Sequence, residues 1–152
     1  MGSLRPWSAL APTLAEALRL DLPSTIDATV AAIAIEVPAY SRMTGRMGAV
    51  VVGGVDTALN RLLDLLGSDD PALDPAAARV YRRIGAGERA AGRSLESVLA
   101  AYRTGARIAW ERMSSTATQS GIEVHELVSL AEAIFVYIDE LSAESAAGYA
   151  SE

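Results

Sequence analysis

An all-α fold is predicted by three features of this 152-residue chain. Apolar residues recur at three- and four-residue intervals along nearly all of it, prolines and glycines stand where those rhythms break, and no segment keeps the two-residue alternation of a half-buried strand. About six helices in one bundle account for the pattern. At this length roughly 70% of the unfolded surface is buried on folding, so a single domain spanning 1–152 needs no metal or disulfide to stabilise its core.

Trp7, Leu10, Leu14 and Leu18 mark the first helix, with Pro12 predicting a kink or a late start and Asp21-Leu22-Pro23 a stop. The second helix opens at Ser24, with Asp27 three residues on as a capping-box-like pair. It buries Ile26, Val30, Ile33 and Val37 before Pro38 ends it. The third covers 42–66, where Met47, Val51, Gly54, Val55, Ala58, Leu62 and Leu66 keep a helical rhythm until Gly67–Pro71 closes it. Asp74 and Pro75 form an N-cap and first turn for a fourth helix that ends at Gly92.

Ser94 caps the fifth helix, which runs to about Gln119 with Val98, Leu99, Tyr102, Ala106, Ala109 and Met113 inward and Gly121 as its stop. At 1.5 Å per residue it spans about 40 Å, enough to form the spine of the domain. The sixth helix has the clearest stripe: Val124, Leu127, Val128, Ala131, Ile134, Phe135, Ile138 and Leu141, widened by Leu130 and Tyr137. It is expected to be largely buried. Beyond Leu141 the chain turns Ala/Ser/Glu-rich and reaches Glu152 without a strong stop, so a longer protein is expected to continue from there.

The chain contains no cysteine, which removes disulfides, thiolate metal sites and cysteine nucleophiles and fits a reducing compartment; the expected location is the cytoplasm. No signal segment and no run of roughly 20 apolar residues is visible, so neither secretion nor a membrane partner is expected. The net charge is −6, yet the stretch from Arg79 to Arg112 carries eight arginines against Glu88, Glu96 and Glu111. Such a split predicts a basic helical face that pairs with acidic helices of the same domain or of a partner. An acidic chain is a poor match to a nucleic-acid footprint, so no direct DNA or RNA binding is expected.

Several motifs fail on context. Val50-Val51-Val52-Gly53-Gly54 mimics a strand entering a phosphate loop, but the apolar period continues helically through the glycines, and Gly54 falls on the stripe where a missing side chain would permit close helix contact. Gly85-Ala86-Gly87-Glu88-Arg89-Ala90 fits a relaxed dinucleotide fingerprint without the strand that fingerprint requires. His125-Glu126 begins a zinc-protease motif, but Ser129 stands where its second histidine belongs. His125 is the only histidine, and a surface or capping role outweighs an axial haem role. Neither a serine triad nor a recognition helix finds support, so no catalytic residues, no metal and no cofactor are assigned.

One grouping has binding chemistry. Arg103 and Arg107 lie four apart on the fifth helix beside Tyr102 and Trp110, a set able to clamp an anion, set against the plainer reading of Arg107–Glu111 and interhelical ion pairs. Ala101, Gly105 and Ala109, spaced by four, offer a narrow ridge for close approach of another helix, within the fold or across a dimer.

The segment Gly87-Glu88-Arg89-Ala90-Ala91-Gly92-Arg93-Ser94-Leu95-Glu96-Ser97-Val98-Leu99-Ala100-Ala101-Tyr102-Arg103-Thr104-Gly105-Ala106-Arg107, continuing into Trp110, resembles the amino-terminal domain of actinobacterial PucR-type transcription regulators. Tyr137-Ile138-Asp139-Glu140-Leu141-Ser142 and Gly148-Tyr149 extend the resemblance. The domain type is similar to the amino-terminal region of RsbRD, a stress-signalling co-antagonist whose relatives resemble globins without haem. The resemblance implies a sensory and dimerisation domain answering a small-molecule or protein effector. It also implies that DNA is bound by a later part of the protein and that Tyr137, Asp139 and Tyr149 lie on an output helix. The rival readings are a stand-alone stressosome-type partner-binding module and a small ligand- or haem-binding globin-like protein.

Overall fold

The computed structural model describes residues 5–42 and 45–151. A 3-10 turn, Pro6–Ala9, leads into six α-helices: α1 (Pro12–Leu20), α2 (Leu22–Glu36), α3 (Gly45–Leu65), α4 (Pro75–Ala90), α5 (Leu95–Gln119) and α6 (Val124–Ala150). A second short 3-10 turn, Pro38–Tyr40, follows α2. Among the described residues there is no strand, and no helix is long and apolar enough to cross a membrane. Val50, Val51 and Val52 lie inside α3, and the glycines of the apparent dinucleotide motif lie inside α4.

The helix ends follow local chemistry. The Asp74 side chain accepts from the Ala77 N–H at 2.7 Å, Ser94 Oγ accepts from the Ser97 N–H at 3.2 Å, and Gly67 and Gly121 take the left-handed conformation after α3 and α5 (φ +84° and +80°). Pro12 gives the late start, with the Trp7 region wound separately as a 3-10 turn. Gly67 is also a tether: its N–H donates to the Trp7 carbonyl at 2.8 Å, while the Trp7 indole N–H donates to the Asp70 carbonyl at 3.0 Å. Trp7 is thereby sealed beneath the loop between α3 and α4.

Two boundaries depart from expectation. α2 starts at Leu22, so Pro23 begins a helix where a stop was expected: proline in a first turn gives up only an N–H that has no intrahelical partner. The Ser24–Asp27 capping box does not form, and Ser24 Oγ instead accepts from Arg112 of α5. α3 starts at Gly45, since Arg42 is not helical and residues 43 and 44 lie outside the described set.

Two helix faces are rotated from the apolar stripes. α2 buries Leu22, Thr25, Thr29 and Ile33, leaving Ile26 and Val30 half-buried. Threonine is tolerated inside because Thr29 Oγ1 donates to the Thr25 carbonyl at 2.8 Å and Thr25 Oγ1 to the Asp21 carbonyl at 3.1 Å, so neither hydroxyl is buried unpaired. α6 buries Leu130, Ala133, Ile134, Tyr137, Leu141, Ser145 and Gly148, whereas Val124, Val128 and Phe135 remain 77%, 51% and 58% exposed. The sixth helix has one wide apolar arc opposite its carboxylates, and only part of that arc meets the core, with Val124, Val128 and Phe135 on its outer edge.

The tightest approach in the molecule joins α4 to α6. A Cβ added at Gly85 would lie 1.9 Å from the Ser145 carbonyl oxygen, and one at Gly148 would lie 1.8 Å from the Arg82 carbonyl oxygen. The close contact expected at Gly54 is not made within the chain, because a Cβ there meets nothing within 4 Å. Glycines therefore do set a helix crossing here, but on α4 and α6. Gly148→Ala is expected to destabilise the domain by about 3 kcal/mol, since backbone cannot yield as a side chain does. Gly53→Ala, on the open side of α3, should stabilise by about 1 kcal/mol. Urea denaturation of the two variants beside the parent measures both.

Candidate functional site

The sequence-predicted anion clamp divides between two places. Arg103, Arg107 and Trp110 share a surface groove between α5 and α6 with Ala106, Phe135 and Asp139. Arg103 is paired with Glu96, and Arg107 with Glu36 of α2 and, at 3.4 Å, with Glu111. Tyr102 points the other way, into the interior, where its hydroxyl meets Ser145 Oγ at 2.7 Å. Both guanidinium groups thus already have carboxylate partners, the plainer of the two readings, and the arginines of the basic stretch link helices: Arg82 to Glu144 of α6, Arg107 to Glu36 of α2.

Between the helices lies an apolar pocket of about 170 Å³, partly open to solvent beside Val50 and Gly54 and walled by α2, α3, α4, α5 and α6. Ile33, Met47, Val51, Leu59, Val98 and Ile134 supply much of its apolar lining. Gly54, Ala101, Gly105, Ala109 and Tyr137 also reach it, while Ala101 and Gly105 lie where α5 packs on α2. Gly105 does stand opposite α2, where a Cβ would lie 3.7 Å from the Thr29 methyl, an ordinary contact. The outer wall is the first half of α3, where Gly53 and Gly54 have open space beyond them and Val50 is exposed.

The polar part of the wall comes from tyrosines and one carboxylate. Tyr81 and Tyr102 pack edge to face with ring centroids 6.3 Å apart. The Tyr137 hydroxyl donates to the Ala58 carbonyl of α3 at 2.9 Å. Glu88 is 8% exposed, and both its oxygens are taken by the Arg93 guanidinium, at 2.6 Å from Nε and 2.9 Å from Nη2. Such a fork satisfies both carboxylate oxygens. Tyr40 stands beside it, its pKa pushed up to about 12 by burial, by the Glu88 charge and by the hydrogen bond it gives Glu88. Burial pushes Tyr81, Tyr102 and Tyr137 in the same direction.

The sequence reading missed Tyr40, Tyr81, Glu88 and Arg93. Glu88 and Arg93 are five apart across the end of α4, a spacing that no single helix face brings together. On the output helix, Tyr137 lines the cavity, Asp139 lies in the outer groove, and the Tyr149 hydroxyl donates to the Arg93 carbonyl at 2.9 Å. Arg89 in turn donates to the Tyr149 carbonyl at 3.0 Å. His125 sits at the start of α6 beside Glu123, 75% exposed, and is not part of the cavity wall.

The buried phenols set an alkaline limit. An unfolded tyrosine ionises near pH 10, whereas folded Tyr40 holds its proton to about pH 12. The stabilisation from its raised pKa is therefore fully present below pH 10 and is lost as the pH rises through 12. Thermal melts followed by circular dichroism should be level up to about pH 10 and fall steeply above it, with a shallower fall in Tyr40→Phe.

No curated protein and no solved structure matches the chain. A family model described as the PucR-like N-terminal domain matches residues 7–152, which takes in all six helices, the cavity and the α4–α6 crossing. The chain belongs to the PucR-like N-terminal domain family.

Proposed function

We propose that this chain is the sensory and dimerisation module of a PucR-type transcription regulator, receiving a small effector in its interior and passing the occupied state on through α6. DNA binding belongs to another part of the protein. The observation that carries this reading is the cavity, because α6 forms part of its wall and is also the helix clasped to α4 further along. Tyr137 and Leu141 line the cavity, and one to two turns later Ser145 and Gly148 lie against the α4 backbone. A displacement at the wall is carried along a continuous helix at 1.5 Å per residue. The family supports the regulatory role, and Arg82, Arg93, Arg103, Arg107 and Arg112 of the basic stretch are already ion-paired within the chain.

For dimerisation the support is the outer face of α6. Val124, Val128 and Phe135 form an exposed apolar strip, and beside Phe135 the groove sets Arg103 and Arg107 against Asp139. A twofold arrangement would lay the two apolar strips against each other, the same patch meeting its copy. A haem-binding reading gains no such support, since the sole histidine lies outside the cavity wall.

Light scattering at high micromolar concentration should give twice the 15.9 kDa chain mass, and Phe135→Glu should return it to the monomer value. A monomeric parent removes dimerisation from the proposal. For transmission, Gly54→Leu places a side chain at the pocket mouth on α3. Slower amide exchange is expected at residues 145–150 in that variant, and unchanged exchange there removes α6 as the output element.

A further inference from the structure

The size and charge of the pocket wall narrow the class of effector, given the reading of this pocket as the effector site. Small side chains make the space: Gly54 of α3 and Ala101, Gly105 and Ala109 of α5 stand on the wall. Neither glycine is there to admit a neighbouring backbone, since a Cβ at Gly54 meets nothing within 4 Å and one at Gly105 makes only an ordinary contact with the Thr29 methyl at 3.7 Å. Glycine inside a helix lowers its stability relative to alanine, so at these two positions helix stability is forgone and open volume is the result. At about 170 Å³ the space is close to the void, about 150 Å³, that holds one benzene ring in a protein interior. The opening beside Val50 and Gly54 gives a path in.

A charged ligand finds no open partner there. Among the described residues no arginine and no histidine lines the pocket, and the chain has no lysine. A carboxylate or phosphate drawn in would shed its hydration without meeting a cation, and burial of such a group is strongly unfavourable. A tyrosine hydroxyl can give an anion one hydrogen bond, but it does not balance the charge. An organic ammonium would meet Glu88, the one acidic residue among the described residues of the wall, with both oxygens already bonded to the Arg93 guanidinium at 2.6 and 2.9 Å. It would have to displace a two-pronged partner.

We infer that the pocket takes an uncharged, predominantly apolar molecule of single-ring size, the class of a small aromatic or alicyclic hydrocarbon and its neutral derivatives, because aliphatic side chains and tyrosine rings enclose a ring-sized space with no cation on its wall. Ile33 of α2, Val51 and Leu59 of α3, Val98 of α5 and Ile134 of α6 supply apolar contact from four helices. Met47, unbranched and flexible, adapts the wall to rings of slightly different outline.

Three probes that share one ring and differ in charge separate the classes: toluene, benzoate and benzylammonium, titrated into the purified chain and followed by amide resonance shifts. Toluene is expected to bind about tenfold more tightly than either ion, or better, with the largest shifts at Val51, Val55, Val98 and Gly105. Gly54→Leu adds bulk at the mouth and should abolish toluene binding; Val51→Phe, on the same wall, serves if the first variant loses its helical far-ultraviolet spectrum. Benzoate or benzylammonium bound as tightly as toluene, or more tightly, overturns the uncharged class and leaves the pocket as an effector site of other chemistry. Binding of none of the three, or toluene binding that persists in the folded wall-filling variants, overturns the effector-site reading as well.

Discussion

Backbone-to-backbone contact between α4 and α6 is the constraint on which the rest of this molecule is arranged. With glycine at 85 and 148, each helix lays its main chain against a carbonyl of the other, closer than any side chain permits. Ser145 stands in the same contact and ties it to α5 by accepting from Tyr102. Arg89 and the Arg93 carbonyl hold Tyr149, so the end of α6 is fastened to the turn between α4 and α5. Three helices are thereby locked along one side of the bundle. The opposite side, where α3 lies over α2 and α5, has no comparable clasp, and its two central glycines have open space beyond them.

A bundle tight on one side and loose on the other has a hollow between, and here the hollow is lined by aliphatic side chains with four tyrosine rings among them. Tyrosine suits such a position because the ring supplies apolar area while the hydroxyl finds a partner at the periphery. Glu88 and Arg93 follow the rule for buried charge: the acid is acceptable only because a guanidinium occupies both its oxygens. Glu88, Tyr102, Tyr137 and Ser145 thus find their polar partners within the chain itself.

Helices and their ends were legible because they are set locally. Asp74-Pro75, Ser94, Gly67 and Gly121 each act within a few residues, and each does in the structure what its side chain or missing side chain dictates. Helix faces were less so. Thr25 and Thr29 are buried because they bond to the preceding turn, which apolar counting does not see, and the apolar arc of α6 is wider than the core it meets, so periodicity could not decide which part of it is buried. The cavity was not legible at all: Gly105, Ala101 and Ala109 read as a ridge for a neighbouring helix, and whether a small residue admits a helix or leaves a void depends on where the next helix lies. Even so, the two stretches that carried the family resemblance, 87–110 and 137–149, are the ones that touch: Arg93 with Tyr149, Arg89 with Tyr149, and Tyr102 with Ser145 one turn before them.

A hollow core has a mechanical consequence besides its chemical one. The folded chain occupies more volume than its atoms need, and water penetrates that space when the helices separate, so compression favours the open form. Pressure should therefore act first at α3, the pocket wall with the fewest ties to the rest.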